Sequence, residues 1–368
     1  MSATVVRTLP DARWSCRGCG FCCRAQALGP VDPGWVAQAG AIAALLPHGA
    51  PLVEAHRGSD GTDRLFLSRG PSGACVFRDD AVGCRIHAVL GEEAKPDFCR
   101  VFPLELVHDP LGAALVVRPT CLGHPQSAFD GERLTSRMEE YLALPHPFRS
   151  FAPETVEVLP GQAIGLEDWC RVEPRLLDVA RAADGSPEGA AAALRDALAR
   201  GVGRTLPAPD LCVARRARED VIAALAKAVA PIAGLRDGPI ADLAARVSEW
   251  LSAFERPPAP LAADTRAWLS VGLQMLLLGK GFQSLGLPAA LGLYLLDASL
   301  VRRVAKQDPT GEIRATEAAS VLAPWWIFTS NRAIRAVLAG RRAPLADLWL
   351  SAVPDRAEPE RRPPVGGR

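Results

Sequence analysis

The sequence has almost no excess of positive over negative charge. Its 42 Lys and Arg are matched by 41 Asp and Glu, a net charge of +1 over 368 residues. No global field draws in nucleic acid or an acidic membrane surface, so any partner is recognised locally. Long apolar runs are missing too. The longest, near Leu285 to Val301, is interrupted by Gly286, Pro288, Gly292 and Asp297. It falls short of the roughly 20 clean residues that span a bilayer and reads as a buried helix. The first ten residues lack both the apolar run and the small-residue cleavage pattern of a secretory signal, which makes the cytoplasm the expected compartment. Repeats of solenoid period and sustained heptads are absent. So is a strand followed by a Gly-rich turn of the kind that cradles a nucleotide, since Gly279-Lys280-Gly281 lies in an apolar, helix-like stretch.

Cysteine is what the chain has in excess. It carries ten, eight of them at 16, 19, 22, 23, 75, 84, 99 and 121. A reducing compartment does not maintain structural disulfides, so the clustered thiols need another explanation. The skew sets a boundary near Gln126: residues 1–125 read as a cysteine-cluster domain, 126–353 as a helical domain, and 354–368, charged and Pro-rich, as a disordered tail. The expected fold class is α+β, mainly α: a small irregular N-terminal domain with short hairpins, followed by an all-helical domain. In the first part, Pro33 to Leu46 reads as a helix, and 64–68 and 75–78 as short strands. A hairpin is predicted from 104–108 and 113–118, turning at Asp109-Pro-Leu-Gly112. Beyond Phe129, apolar spacings of three and four predict helices at 130–143, 173–183, 187–200, 214–232, 238–254, 264–279, 286–305, 314–322, 330–340 and 344–352.

In Cys16-Arg-Gly-Cys19-Gly-Phe-Cys22-Cys23, two-residue spacers let successive thiolates converge, and Gly18 and Gly20 permit the tight backbone path. The C-x2-C-x2-C spacing is that of three corners of a four-iron cluster in bacterial ferredoxins. Adjacent side chains diverge, so Cys23 suits a second centre, and eight thiols suit two four-ligand centres. Cys75, Cys84, Cys99 and Cys121, each beside a turn or proline, complete the candidate metal-ligand set of Cys16, Cys19, Cys22, Cys23, Cys75, Cys84, Cys99 and Cys121. Only the first block has knuckle spacing, which tilts the reading from zinc toward an iron–sulfur cluster, 4Fe-4S, with zinc kept as the alternative.

These blocks resemble the CxxCxxCC cysteine-cluster proteins, also called YkgJ-like, a family described as zinc- or iron-chelating. Cys16, Cys19, Gly20, Cys22 and Cys23 fill its first block and Cys75 and Cys84 its second. Pro96, Cys99, Arg100, Phe102 and Pro103 fill the third and Cys121 the last, with Lys95 where the family usually has Arg. The resemblance covers roughly residues 14–124 and implies a metal-binding domain. Members with a long helical extension resemble flagellin lysine N-methylase, and this chain also has a helical second half.

Three functions follow as expectations. The centre is structural or sensory and the helical half binds a protein partner; or the protein is a lysine N-methyltransferase acting with S-adenosylmethionine on a protein substrate; or it delivers metal. No catalytic residue is identified. Arg100 and Arg118 are candidate donors to thiolates, and His87 and His124, each three residues after a cysteine, are alternative ligands. Cys170 and Cys212, standing alone, read as small hydrophobes. Trp325-Trp326 reads as a helix–helix contact, with a ligand groove as the alternative.

Overall fold

A computed structural model describes residues 5–25, 28–57, 61–118, 120–144, 149–183, 186–233, 239–281, 285–329 and 332–352. With 55% helix and 14% strand it is α+β, mainly α, as the sequence predicts. Short elements open the chain because Gly and Pro interrupt every apolar run. β1 (Val6–Arg7) leads through an irregular loop to α1 (Phe21–Ala25), α2 (Pro33–Ala37) and α3 (Gly40–Ala43). Next come the hairpin β2 (Val53–Arg57) and β3 (Asp63–Leu67), the two-residue pair β4 (Arg78–Asp79) and β5 (Gly83–Cys84), α4 (Arg85–Leu90) and α5 (Asp97–Val101). The helix expected over 33–46 is broken in two. Asp32 caps its start by accepting from the N–H of Gly34 and Trp35, but Gly34 and Gly40 lower the propensity of so short a segment. The strand expected at 75–78 shrinks to a bridge between Cys75 and Arg69 followed by β4.

The predicted hairpin is present as β6 (Leu104–Asp109) and β7 (Gly112–Val117), paired antiparallel from Leu104↔Val117 to Asp109↔Gly112. Leu104, Val107, Ala113, Ala114 and Leu115 are fully buried; covered on both faces, β7 carries a continuous apolar run from Ala113 to Val117 rather than an alternation. α6 (His124–Asp130), α7 (Met138–Ala143) and β8 (Arg149–Phe151) follow, and β1 and β8 flank the hairpin in parallel, giving the order β1-β7-β6-β8. The boundary expected near Gln126 falls inside α6. The helix expected over 130–143 is delayed by Gly131, where an added Cβ would stand 2.4 Å from the Ser127 carbonyl oxygen and 3.0 Å from the Trp14 carbonyl carbon.

The second half is not entirely helical, contrary to the sequence reading: β9 (Thr155–Leu159) and β10 (Gln162–Gly165) form a hairpin. Val156 and Val158 are buried and alternate with more exposed Thr155 and Glu157, and Gly161 takes φ +70 at the turn. A period of two over five residues is overrun in any window long enough to detect a helix. The nine later predicted helices all have counterparts. They are α8 (Leu166–Ala182), α9 (Pro187–Gly201), α10 (Leu211–Ala233), α11 (Pro239–Ser252), α12 (Ala263–Leu278), α13 (Leu287–Val304), α14 (Ala315–Thr329), α15 (Arg332–Ala339) and α16 (Arg342–Leu350). α13 is buried almost all round, as expected of the longest apolar run. Among the described residues no helix is long and apolar enough to cross a membrane. The tail at 354–368 lies outside the described residues.

α12 ends against the sheet: a Cβ on Gly279 would come within 3.0 Å of Val116 Cγ2, and Met275 and Leu278 join the core of β6 and β7. Lys280 follows at φ 47. Its fully buried ammonium donates to Asp109 Oδ2 at 2.6 Å and to the Leu278 carbonyl at 3.0 Å, and pairs with Glu173 Oε2 at 2.7 Å. Arg7 bridges the same two carboxylates, reaching Asp109 with one nitrogen and Glu173 Oε1 at 3.2 Å with the other. Trp169 Nε1 donates to Glu173 Oε2 at 3.1 Å. The Gly-Lys-Gly sequence thus serves an interior ion network, not a nucleotide. Lys280→Met leaves two buried carboxylates with one cation, and we expect a loss of about 3–5 kcal/mol in urea unfolding, partly restored by adding Glu173→Gln.

Candidate metal centre

Five separate segments bring the cysteines together. Gly18 and Gly20 sit at φ +64 and +67, so the Cys16–Gly20 loop doubles back before α1. Cys22 and Cys23 lie on that helix, not on extended backbone, and successive side chains on a helix also point apart. Cys75 N–H donates to the Cys23 carbonyl at 2.8 Å. Cys84 faces Arg78 across β4–β5 and precedes α4. Cys99 is on α5, and Cys121 follows β7.

All eight line one cavity of about 290 Å³, together with Trp14, Phe77, Phe98, Phe102, His87 and Lys95. Cys170, buried beside Trp169 in the helical core, and exposed Cys212 do not. All ten cysteines are free thiols. The eight are spread over the wall rather than gathered at a point: among the described residues no three His, Cys, Asp or Glu side chains converge on one ion position.

Packing divides them. Cys75 belongs to the apolar cluster of Phe77, Ile86 and Phe98, and Cys23, Cys84 and Cys99 pack against it. The remaining four are outside that cluster, and Gly123, two residues after Cys121, lies so close to Arg17 that an added Cβ would meet its Cβ at 3.2 Å. The electrostatic neighbours agree in part: Cys99 feels Cys75, Cys23 and Cys84, and Cys121 feels Cys19 and Cys16, but Cys19 also feels Cys23, and Cys22 feels Cys23 and Cys99 ahead of Cys16. Cys22, hydrogen-bonded to Cys23, stands at the junction.

Burial pushes the Cys19 thiol up, Cys75 to about 12 and Cys99 well above its ordinary range. Burial also raises Cys121 to about 11, partly offset by the Trp14 indole and the Gly123 N–H. Cys22 is raised by its hydrogen bond to Cys23 and then by burial. Cys23 is lowered to about 7, first by the same hydrogen bond, against burial, and then by the charges of Arg78 and Lys95. Arg78 Nε is buried without a hydrogen-bond partner, and the Arg78 charge favours the thiolate of Cys23 as the Trp14 indole favours that of Cys121.

The arginines chosen from sequence point elsewhere: Arg100 pairs with Asp97 and Glu140, both at 3.6 Å, and Arg118 with Glu105 at 3.8 Å. Arg100 is held by carboxylates on its own helix and on α7, whereas Arg78 reaches the site across the β4–β5 pair. A Cβ on Gly20 would stand 2.1 Å from Arg78 Nε. His87 lines the cavity, its Nδ1 3.2 Å from Lys95 Nζ. His124 does not.

His124 lines a second cavity of about 180 Å³ between β7 and helices α12, α13 and α14. Trp326 lines it too, while Trp325 is fully buried. Their indole N–H groups donate to Asp297 Oδ1 and Oδ2, each at 2.7 Å. Burial raises Asp297 to about 7 despite these donors.

No protein-family model matches the chain, and neither a curated protein nor a solved structure matches it.

Two measurements follow. Gly18→Ala pays only the left-handed backbone cost of about 1 kcal/mol, since nothing lies within 4 Å of its new Cβ. Gly20→Ala must also displace Arg78 and is expected to cost more in thermal unfolding. The raised Asp297 means that the folded state binds the extra proton between about pH 4 and 7. Stability therefore falls as pH rises through that window, by roughly 4 kcal/mol at most. Asp297→Asn should flatten that slope in urea titrations.

Proposed function

We propose that this chain is a metal-binding protein holding two thiolate-ligated centres, one on Cys16, Cys19, Cys22 and Cys121 and the other on Cys23, Cys75, Cys84 and Cys99. The observation that carries the reading is the convergence of eight cysteines from five segments on one cavity that excludes the other two. Soft cations stabilise several buried thiolates at once, which burial alone disfavours. Each set of four matches the ligand count of a four-iron cluster or of tetrahedral zinc.

Iron–sulfur is the preferred occupant. The C-x2-C-x2-C run favours it, because that spacing holds three corners of a four-iron cluster. When bound, such a group would supply electron transfer, and with four cysteine ligands each centre would be coordinatively closed. The chain's own residues then have defined tasks. Arg78 and Lys95 offset thiolate charge beside Cys23, and the Trp14 N–H favours the thiolate of Cys121. Phe77, Phe98 and Phe102 keep the cavity wall apolar. The proposal places the protein in a reducing compartment, where the thiols stay available, and gives the helical part the partner or substrate face.

Anaerobic purification with iron, zinc and sulfide analysis tests this. Cys19→Ser and Cys99→Ser are each expected to lose about half of the bound metal. Loss of all metal in both would replace two centres by one shared centre, and a folded, metal-free wild-type protein would refute the reading.

A further inference from the structure

The second cavity has no part in the thiol chemistry, and its walls describe a ligand of their own. Of its charged groups, Glu105 pairs with Arg118 at 3.8 Å, and Asp297, raised to about 7 by burial, accepts from the two indoles and has Arg335 as an electrostatic neighbour. Burying an ionic ligand among mostly apolar walls is costly, which favours an uncharged one. Most of the remaining lining is aliphatic or aromatic, from β7, α12, α13 and α14. Trp268 and Trp326 stand with ring centroids 6.0 Å apart on one side.

One polar group there lacks a partner. Trp268 Nε1 donates to His124 Nδ1 at 3.3 Å, so the ring carries its hydrogen on Nε2. That Nε2 is buried and makes no hydrogen bond, in a residue 4% exposed. A buried donor left unmet is costly, and the cavity it lines is where an acceptor would come from.

We propose that this cavity binds an uncharged aromatic carbonyl compound of about nine non-hydrogen atoms, its oxygen accepting from His124 Nε2–H. The size follows from the volume. A dry cavity of roughly 150 Å³ accepts benzene, so about 180 Å³ takes a ring with a short substituent. Apolar pockets with a few convergent polar groups are the usual form of small-molecule sites.

Gly272, on the α12 wall, provides a clean test, because a Cβ there meets nothing within 4 Å. Gly272→Leu fills the space and gains helix propensity. The probes are acetophenone and ethylbenzene, matched in size and differing in the carbonyl, titrated against the full-length protein by ligand-observed NMR. Acetophenone is expected to bind saturably and about tenfold more tightly than ethylbenzene. Gly272→Leu should abolish both, and His124→Leu should remove the preference while sparing ethylbenzene. No saturable binding, binding that survives Gly272→Leu, or an unchanged preference in a folded His124→Leu would each overturn the proposal. None of these readouts depends on metal content.

Discussion

The buried ammonium of Lys280 fixes the helices to the sheet. Its partners come from the turn end of β6 and from α8, and Arg7 of β1 clasps the same two carboxylates. A buried network of this kind adds little net stability over a well-packed apolar core, because desolvation consumes most of the attraction. What it confers is register: an alternative docking of α12 on the sheet would strand two carboxylates without their cation. The open end of the β6–β7 hairpin serves the cysteine cavity, since Cys99 lies just before β6 and Cys121 just after β7. The position of the thiol-lined wall is therefore inherited from an ionic contact at the opposite end of those strands.

Little apolar surface supports the cysteine-bearing part itself. Its core is the small group around Phe77, Ile86 and Phe98, and four thiols help to fill it. Burial holds Cys75, Cys99 and, outside that core, Cys121 as protonated thiols, while Arg78 and Lys95 favour the thiolate of Cys23 and the indole of Trp14 that of Cys121. Those two tendencies conflict in the protein alone. Under the proposed reading they are reconciled by a soft cation, which makes folding of this part and occupancy of the cavity one equilibrium.

The helices were legible because long amphipathic spacing survives any neighbourhood, and even the buried α13 was marked by its length and its Pro and Gly punctuation. The β6–β7 hairpin was legible from its turn. The β9–β10 hairpin was hidden by its brevity, and the break between α2 and α3 by two glycines in a pattern otherwise helical. Which cysteines would gather was readable from spacing, but which would face one another was not, since it depends on how α5 and the segment after β7 fold back on the first loop. Arg78 escaped notice for the same reason: its relation to Cys23 crosses more than fifty residues of chain, whereas Arg100 looked apt merely by adjacency. The ion network left no mark in sequence beyond an inconspicuous Lys between two glycines.

The backbone turn from Cys121 to His124, closed by the His124 N–H to Cys121 carbonyl hydrogen bond at 3.2 Å, has a thiol cavity on one side and an aromatic cavity on the other. It is a party wall. Its length is as constrained as its Cys121 and His124, because inserting or deleting one position would rotate sulfur and imidazole off their respective sides together. The chain thus keeps the two compartments neighbours.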